Sequence, residues 1–577
     1  VRLGAVTISI ASSSVSAPWQ DRPVAGFDVV EASIADLREA LERGAVTAVE
    51  LVEAYLARLD AYDRGGIALN AVPVRNPDAV VEARASDARR AAGDPLGPLD
   101  GIPYTAKDSF AVRGLTVAAG SPAFEHLVAQ RDAFTIGRLR AASAICIGLT
   151  TMPPMANGGM QRGLYGRAES PYNPDYLTAA FASGSSNGSG TATAASFAAF
   201  GLGEETWSSG RAPATNNGLV AYTPSRGLIS VRGNWPLVPT MDVVVPHTRT
   251  VADLLEVLDV VVAPDPETTG DFWRLQPWVP VPPVEELRPA AYPVLAEGSG
   301  LTGVRFGVPR MYIGEDRAAP SPIATRPSVL DRWRITRERL TAQGAAIVEI
   351  DFPVVSNYEQ DRPGTADMVE RGFVPRGFAE RELWDLSIWA WDGFLATNGD
   401  PALHRLADVD GPRIFPQPVG ALPDRYGDTD VDLAEYVERA KAGVPELSDI
   451  PTIPEGVRGL ERTRRVDLEA QLDALGLDAV VFPAVADVAP ADADTNPASA
   501  DLAWRNGTWV ANGNLAIRHL GVPTVTVPMG LMADIGMPIG LTIAGRAYDD
   551  ARLLTIAAAM EAAGVSERHA PPRTPPL

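Results

Sequence analysis

Two short stretches hold the residues best suited to acid–base and nucleophilic chemistry. In "GIPYTAKDSF", residues 101–110, Lys107 is one of only two lysines in a chain whose lysines and arginines together number 50. The other, Lys441, lies in "VERAKAG" on the exposed face of a helical pattern. The second stretch is a glycine- and serine-rich run, "ASGSSNGSGTATA", residues 182–194. A serine hydroxyl is a poor nucleophile until a base takes its proton, and lysine can be that base only as the neutral amine. An unperturbed lysine titrates near about 10.4, so roughly one in a few thousand is neutral at pH 7. Lowering that value by about three units costs about 4 kcal/mol, which burial and oriented hydrogen bonds can supply. Arginine stays protonated at any useful pH, so a chain that uses arginine elsewhere must keep lysine where deprotonation is the task.

The glycine/serine run admits several readings. Its composition fits a flexible linker, but it lies inside a domain, between the turn "SPYNPDY" and the apolar helical "ATAASFAAFGLG". A phosphate-cradling loop requires a lysine after its last glycine, and none follows. "GSSNG", residues 184–188, satisfies G-x-S-x-G and would put Ser186 on the nucleophile elbow of an α/β-hydrolase esterase. An elbow needs a strongly apolar strand before it and a later histidine with an acid partner. "PDYLTAAFA" is a poor strand, and His247, His404, His519 and His569 each read equally well as ordinary loop or helix residues.

A further reading joins "GIPYTAKD" at 101–108 to "SGSSNGSGTATAASFAAFGLGEETWSSGRAPA" at 183–214. Together they resemble the amidase signature family, in which a lysine, a serine of the glycine/serine run and a second serine 24 positions later form a catalytic triad. Ser185 and Ser209 have that spacing. The resemblance extends over roughly residues 30 to 565, through "AYTPSRGLISVRG", "HTRTVADLLEVLDVV" and "NLAIRHLGVPTVTVP...MPIGLTIAG".

The resemblance implies that Ser209 attacks an acyl carbon and that Ser185, held by a cis peptide bond in family members, relays its proton to Lys107. It implies an oxyanion hole of backbone N–H groups from Thr206, Trp207, Ser208 and Ser209. It gives Ser186 a supporting role beside Lys107 and Arg211 a structural one. The implied reaction is hydrolysis of a carboxylic amide, anilide or hydrazide through an acyl-serine, with no metal or organic cofactor. The alternatives are the serine esterase above and an ammonia-transferring subunit of a transamidating complex. The expected partner is a small amide-type substrate with an apolar or aromatic portion, and the chain is expected to be a monomer or homodimer.

The chain departs from the family where "GTDxGGS" is common: it has "GEETWSS", so Trp207 and Ser208 replace glycines, and Asn187 replaces another in the run. Glycine's access to positive φ is lost there, which puts the loop conformation in question. Trp207 reads either as core or as a pocket wall. The cluster Trp384, Trp389, Trp391 and Phe394 reads either as core or as the lining of an apolar cleft.

Elements must hold these residues together. From residue 33 the pattern predicts two amphipathic helices separated by Gly44, the second opening on Thr47 and Glu50 in capping-box spacing. Beyond a polar helix near 77–92, short apolar strands and helices alternate: "FTIGRLRAA" with "AICIGLT", "VADLLEVLDVVV", "GVRFGVPRM" with the helical "PSVLDRWRITRERL". "DAVVFPA", "VPTVTVPMG" and "PIGLTIAG" read as closing strands before a last helix. This alternation, with the resemblance, predicts an α/β fold: one large mixed, mainly parallel sheet covered by helices on both faces, in a single domain over 1–577. Residues 264–300, rich in proline and tryptophan, read as a surface excursion. Residues 356–460 read as a variable, mostly helical insertion over the substrate entrance.

With 72 acidic residues and a formal charge of −22, the chain repels phosphate backbones and anionic headgroups. Its single cysteine, Cys146, excludes an intrachain disulfide. No apolar run is long enough to span a membrane. The opening "VRLGAVTISIASSSVSAPWQ" is similar in layout to a secretory signal with a minimal basic region; a disordered or strand-like arm on a cytoplasmic protein is the preferred reading.

Overall fold

The computed structural model describes residues 27–298, 300–316, 319–427, 431–507 and 511–577; the stretch read as an arm or leader lies outside them. Both N-terminal helices begin where the sequence places them. Helix α1 (Ile34–Glu42) starts at Ser33, which exchanges capping-box bonds with Asp36, and α2 (Ala48–Arg58) starts at Thr47, which does the same with Glu50. Each box satisfies two N-terminal amides that the helix itself cannot. Gly44, just past α1, takes φ +65, the left-handed conformation that lets the chain reverse. The polar pattern forms α3 (Ala79–Ala91), and "FTIGRLRAA" forms α4 (Phe134–Ala141).

The described strands make one 11-stranded sheet in the order β1-β3-β2-β4-β6-β5-β10-β11-β9-β7-β8. In chain order they are β1 (Val74–Arg75), β2 (Pro103–Lys107), β3 (Ile145–Thr150), β4 (Phe200–Glu205), β5 (Val220–Thr223), β6 (Val243–Thr248), β7 (Arg305–Pro309), β8 (Ala346–Ile350), β9 (Ala479–Pro483), β10 (Thr524–Leu531) and β11 (Pro538–Ala544). Every residue of β2 to β6, β9 and β11 is buried. Burial of both faces is why they read as continuous apolar or small-residue runs rather than alternating ones.

The sheet is mixed, as expected, but not mainly parallel. β2 pairs in parallel with β3 and β4, and β7 with β8 and β9, while the other six pairings are antiparallel. The reason lies in the connections. Parallel neighbours need a crossover, supplied by α4 between β2 and β3, and by the helix Pro327–Ala342 between β7 and β8. β10 and β11 are instead joined by the tight turn after Leu531, where Met532 and Met537 pair across it.

Residues 264–300 form short helices and turns without a sheet strand among those described. Between 356 and 460 the described elements are helical, the longest pair being the helices Ser387–Asn398 and Ile453–Arg464. Among the described residues no helix is long and apolar enough to cross a membrane. Cys146 is buried in β3, and burial pushes its thiol up to about 12.

Candidate active site

Lys107 is the last residue of β2, a central strand, and its side chain is enclosed by the sheet's neighbours. Its Nζ donates to Ser185 Oγ at 2.8 Å, and both residues have no exposed surface. Burial lowers the amine's pKa to about 8, against the opposing pull of Glu204, whose carboxylate lies 3.8 Å away, and of Asp242. Desolvation outweighs the carboxylates, which is the condition a lysine must meet to act as a base near neutrality.

Ser185 and Ser186 precede α5 (Asn187–Ala194), every residue of which is buried. The run packs tightly: a Cβ added at Gly188 would lie 2.5 Å from the Thr151 main chain, and one at Gly203 would lie 2.9 Å from Ser186 Oγ. The glycines serve close approach here, not linker mobility. Ser186 Oγ donates to the Glu204 carbonyl at 2.9 Å and accepts from the Glu204 N–H at 3.1 Å. It therefore braces the strand that carries Glu204, and its link to Lys107 runs through that residue. None of its hydrogen bonds involves a histidine, and the residues before it form bends and turns, so the esterase elbow has neither its strand nor its base.

Ser209 sits in the turn between β4 and α6 (Arg211–Asn216). Its carbonyl accepts from the Ser186 N–H at 3.4 Å, which brings the two serine-bearing segments side by side. Of Lys107, Ser185 and Ser209, only Ser209 lines a cavity of roughly 30 Å³; Ser183, Thr206, Trp207, Leu237 and Tyr436 are among its walls. Ser209 thus faces a space, while Lys107 and Ser185 are fully buried.

The turn is held by buried ionic bonds. Glu205 accepts from the N–H groups of Gly210 and Arg211 at 3.0 and 2.9 Å and pairs with the Arg211 guanidinium at 3.0 Å, both side chains being fully buried. Arg211 also donates to the carbonyls of Trp207 and Asn512, each at 2.9 Å. These bonds tie Arg211 across the turn to Glu205, Trp207 and Asn512. His247 on β6 is buried, which lowers its pKa to about 4 and keeps it neutral. Ser189 Oγ lies 3.0 Å from Nδ1 and the Gly210 carbonyl 2.9 Å from Nε2, so Nε2 carries the proton and fixes the carbonyl next to Ser209.

Three expectations change. The peptide bonds of the described residues are all trans, including the one before Ser185; Ser185 reaches Lys107 without the cis form, which costs about 3–4 kcal/mol. The Ser208 N–H is taken by Ser183 Oγ at 3.1 Å, and the Ser208 hydroxyl donates to Ser183 as well. Ser208 therefore ties the turn to the glycine/serine run, and its amide already has an acceptor. Neither Trp207 nor Ser208 has a positive φ, so replacing the glycines brings no backbone strain. Trp207 is a pocket wall, edge-on to Tyr426 with centroids 6.1 Å apart.

Three neighbours of the site escape sequence reasoning: Glu204, Asp242 and Ser109. Glu204 stands in "GEETWSS", where the only local signal is a departure from the family pattern. Its carboxylate accepts from Ser109 Oγ and Asn234 Nδ2 and faces Lys107. Asp242, pushed up to about 7 by burial, accepts from Thr206 Oγ1 at 2.6 Å and so steadies the start of the turn. Of the aromatic cluster, Trp391 is core, Trp384 carries Arg439 on its face at 3.9 Å, and Trp389 and Phe394 line a separate, larger cavity.

Known proteins share this arrangement of sequence and fold. The family model described as Amidase matches residues 50–362 and 457–554, passing over most of the helical region between. A glutamyl-tRNA(Gln) amidotransferase subunit from Cereibacter sphaeroides is 30% identical over 554 residues, covering 93% of this chain and 98% of that protein. One of the same name from Roseiflexus sp. is 29% identical over 544 residues, 91% of this chain and 94% of that one. Among solved structures, the peptide amidase PAM in complex with the competitive inhibitor chymostatin matches with a TM-score of 0.72 at 27% identity, over 94% of this chain and 99% of that one. The native peptide amidase from Stenotrophomonas maltophilia matches with a TM-score of 0.70 at 26% identity, over 94% and 98%.

Proposed function

The chain belongs to the amidase family, and from that premise we propose that it hydrolyses a linear carboxylic amide, anilide or hydrazide through an acyl-Ser209 intermediate. The observation that carries this reading is the buried Lys107 amine, brought down to about 8 and bonded at 2.8 Å to Ser185, in a segment whose Ser186 N–H reaches the carbonyl of the cavity-lining Ser209.

In this mechanism Ser209 Oγ attacks the acyl carbon as its proton passes to Ser185 Oγ, whose own proton passes to neutral Lys107 Nζ. The tetrahedral oxyanion is stabilised by N–H groups of the turn 206–209, that of Ser208 excepted, in a setting where Glu205, Arg211 and Asp242 have already fixed the turn. The relay then returns a proton to the leaving nitrogen, which departs as ammonia, an amine or a hydrazine. Water attacks the acyl-enzyme with the same base, releasing the acid and restoring Ser209. The cavity walls Trp207, Leu237, Val238, Leu433 and Tyr436 favour a small apolar acyl portion.

The test is a panel of amides, anilides, hydrazides and esters with aliphatic and aryl acyl groups. Turnover of acyl–nitrogen substrates, with an acyl adduct on the Ser209 peptide by mass spectrometry and none in Ser209→Ala, supports the proposal. An adduct that persists in Ser209→Ala rejects it.

A second reading is favoured by the near full-length match to proteins named as amidotransferase subunits: this chain would then deliver ammonia within a complex. Rapid turnover of simple amides by the purified chain alone, as a monomer or homodimer by light scattering, speaks against it. Activity that needs added subunits speaks for it.

A further inference from the structure

A cavity of about 210 Å³ lies on the far side of the residue 235–243 segment from Ser209. Pro236, Pro239, Asp242 and Val243 of that segment face the larger cavity, while Leu237 and Val238 face the smaller one. The remaining walls are mostly apolar and come from the 269–275 turn and from the helix Ser387–Asn398, with Phe272, Trp389 and Phe394 supplying rings. The space exceeds the roughly 150 Å³ that accommodates a benzene ring.

Two carboxylates stand among its polar groups, beside the side chains of Thr269, Thr397 and Asn398. Glu204 and Asp242 line it, and so does Asn234, which is 6% exposed. The Asn234 amide donates through Nδ2 to Glu204, which leaves Oδ1 as the acceptor, and that buried oxygen has no hydrogen-bond partner. The one cation on the lining among the described residues, Arg131, is half exposed and pairs with Glu267 at 3.6 Å. On the helix Ser387–Asn398, Gly393 lines the cavity, and a Cβ there would meet nothing within 4 Å. A helix interior does not favour glycine, and no close neighbour demands one at this position.

We propose that this cavity is a second ligand site for an apolar primary ammonium: Glu204 and Asp242 on the lining balance the head, and an aryl or short alkyl body packs against Phe272, Trp389 and Phe394. Carboxylate oxygens accept from the N–H donors of an ammonium, and ring faces add attraction for the cation. The ammonium shares Glu204 with Lys107, so occupancy of this site and protonation of the base are linked. The site stands on its own geometry and does not depend on the amidase mechanism.

The test is calorimetric titration of the Ser209→Ala protein, in which no acyl transfer occurs, with phenethylammonium and with its neutral counterpart 2-phenylethanol. The ammonium is expected to bind one to one and about tenfold or more tighter than the alcohol. Gly393→Leu and, independently, Ala390→Met in that background are expected to weaken it about tenfold or more by filling the cavity. Gly393→Leu alone is expected to leave amide turnover unchanged. Equal affinity for ammonium and alcohol overturns the head-group assignment. Ammonium affinity that survives in a folded Gly393→Leu or Ala390→Met protein places the binding elsewhere and overturns the site.

Discussion

At the scale of single residues, two opposed forces meet on Lys107. Two carboxylates within its reach would hold an ordinary lysine charged, yet complete burial brings it to about 8. Because the active form is the neutral amine, kcat/KM should rise about tenfold per pH unit below that value and level off above it. Glu204 opposes the shift, so Glu204→Gln, which keeps the bonds from Ser109 and Asn234 feasible, should move the acidic limb about 0.5–1 unit lower and raise the rate at pH 6.5. A pH–rate series on both proteins checks it; an acidic limb that moves upward in Glu204→Gln would reverse the sign argued here. Lys107, Ser185 and Ser209 could be singled out as candidates because rarity of lysine and motif spacing are properties of the linear chain. Glu204 as a neighbour of Lys107, and Asp242 as the acceptor for Thr206, arise from strand pairing across the sheet and leave no local pattern.

At the scale of elements, the nucleophile turn is a short span between β4 and α6 clamped from three sides: by the Glu205–Arg211 pair, by Ser208 on Ser183, and by Ser186 on the β4 backbone. Ser186→Ala removes the partner of both the Glu204 N–H and its carbonyl. It should cost about 1–3 kcal/mol in stability by denaturant unfolding while Ser209 still becomes acylated. Loss of the adduct in a stable Ser186→Ala protein would return Ser186 to the role of nucleophile. Helix starts were readable because capping boxes at Ser33 and Thr47 are written locally. Strand direction was not, because apolar runs buried on both faces look the same whichever way they run, and only the connections set the pairing. The trans bond at Ser185 is likewise a matter of tertiary fit, which motif spacing does not encode.

At the scale of the whole molecule, the helical region that the family model passes over supplies Leu383, Val431, Leu433 and Tyr436 to the cavity of Ser209. In the proposed mechanism the sheet and the turn would carry the chemistry, and this region would shape what reaches it. Leu433→Ala should therefore raise kcat/KM for bulky acyl amides about tenfold or more relative to small ones, the worth of a methylene, with the pH profile unchanged. Parallel assays over the acyl panel check this; an unchanged ratio would remove the region from substrate selection. A loss of strand–helix alternation marks this stretch in the sequence, but which of its side chains line the cavity of Ser209 depends on packing between segments far apart in the chain.

The central claim is that Lys107 sits in the folded protein with an amine ready to lose its proton near neutrality. The chain contains only two lysines, so carbon-13 labelling of lysine Cε yields two resonances, and the one absent from Lys107→Arg belongs to Lys107. That resonance is expected to titrate with a midpoint near pH 8. A midpoint at the ordinary lysine value of about 10.4 would contradict it.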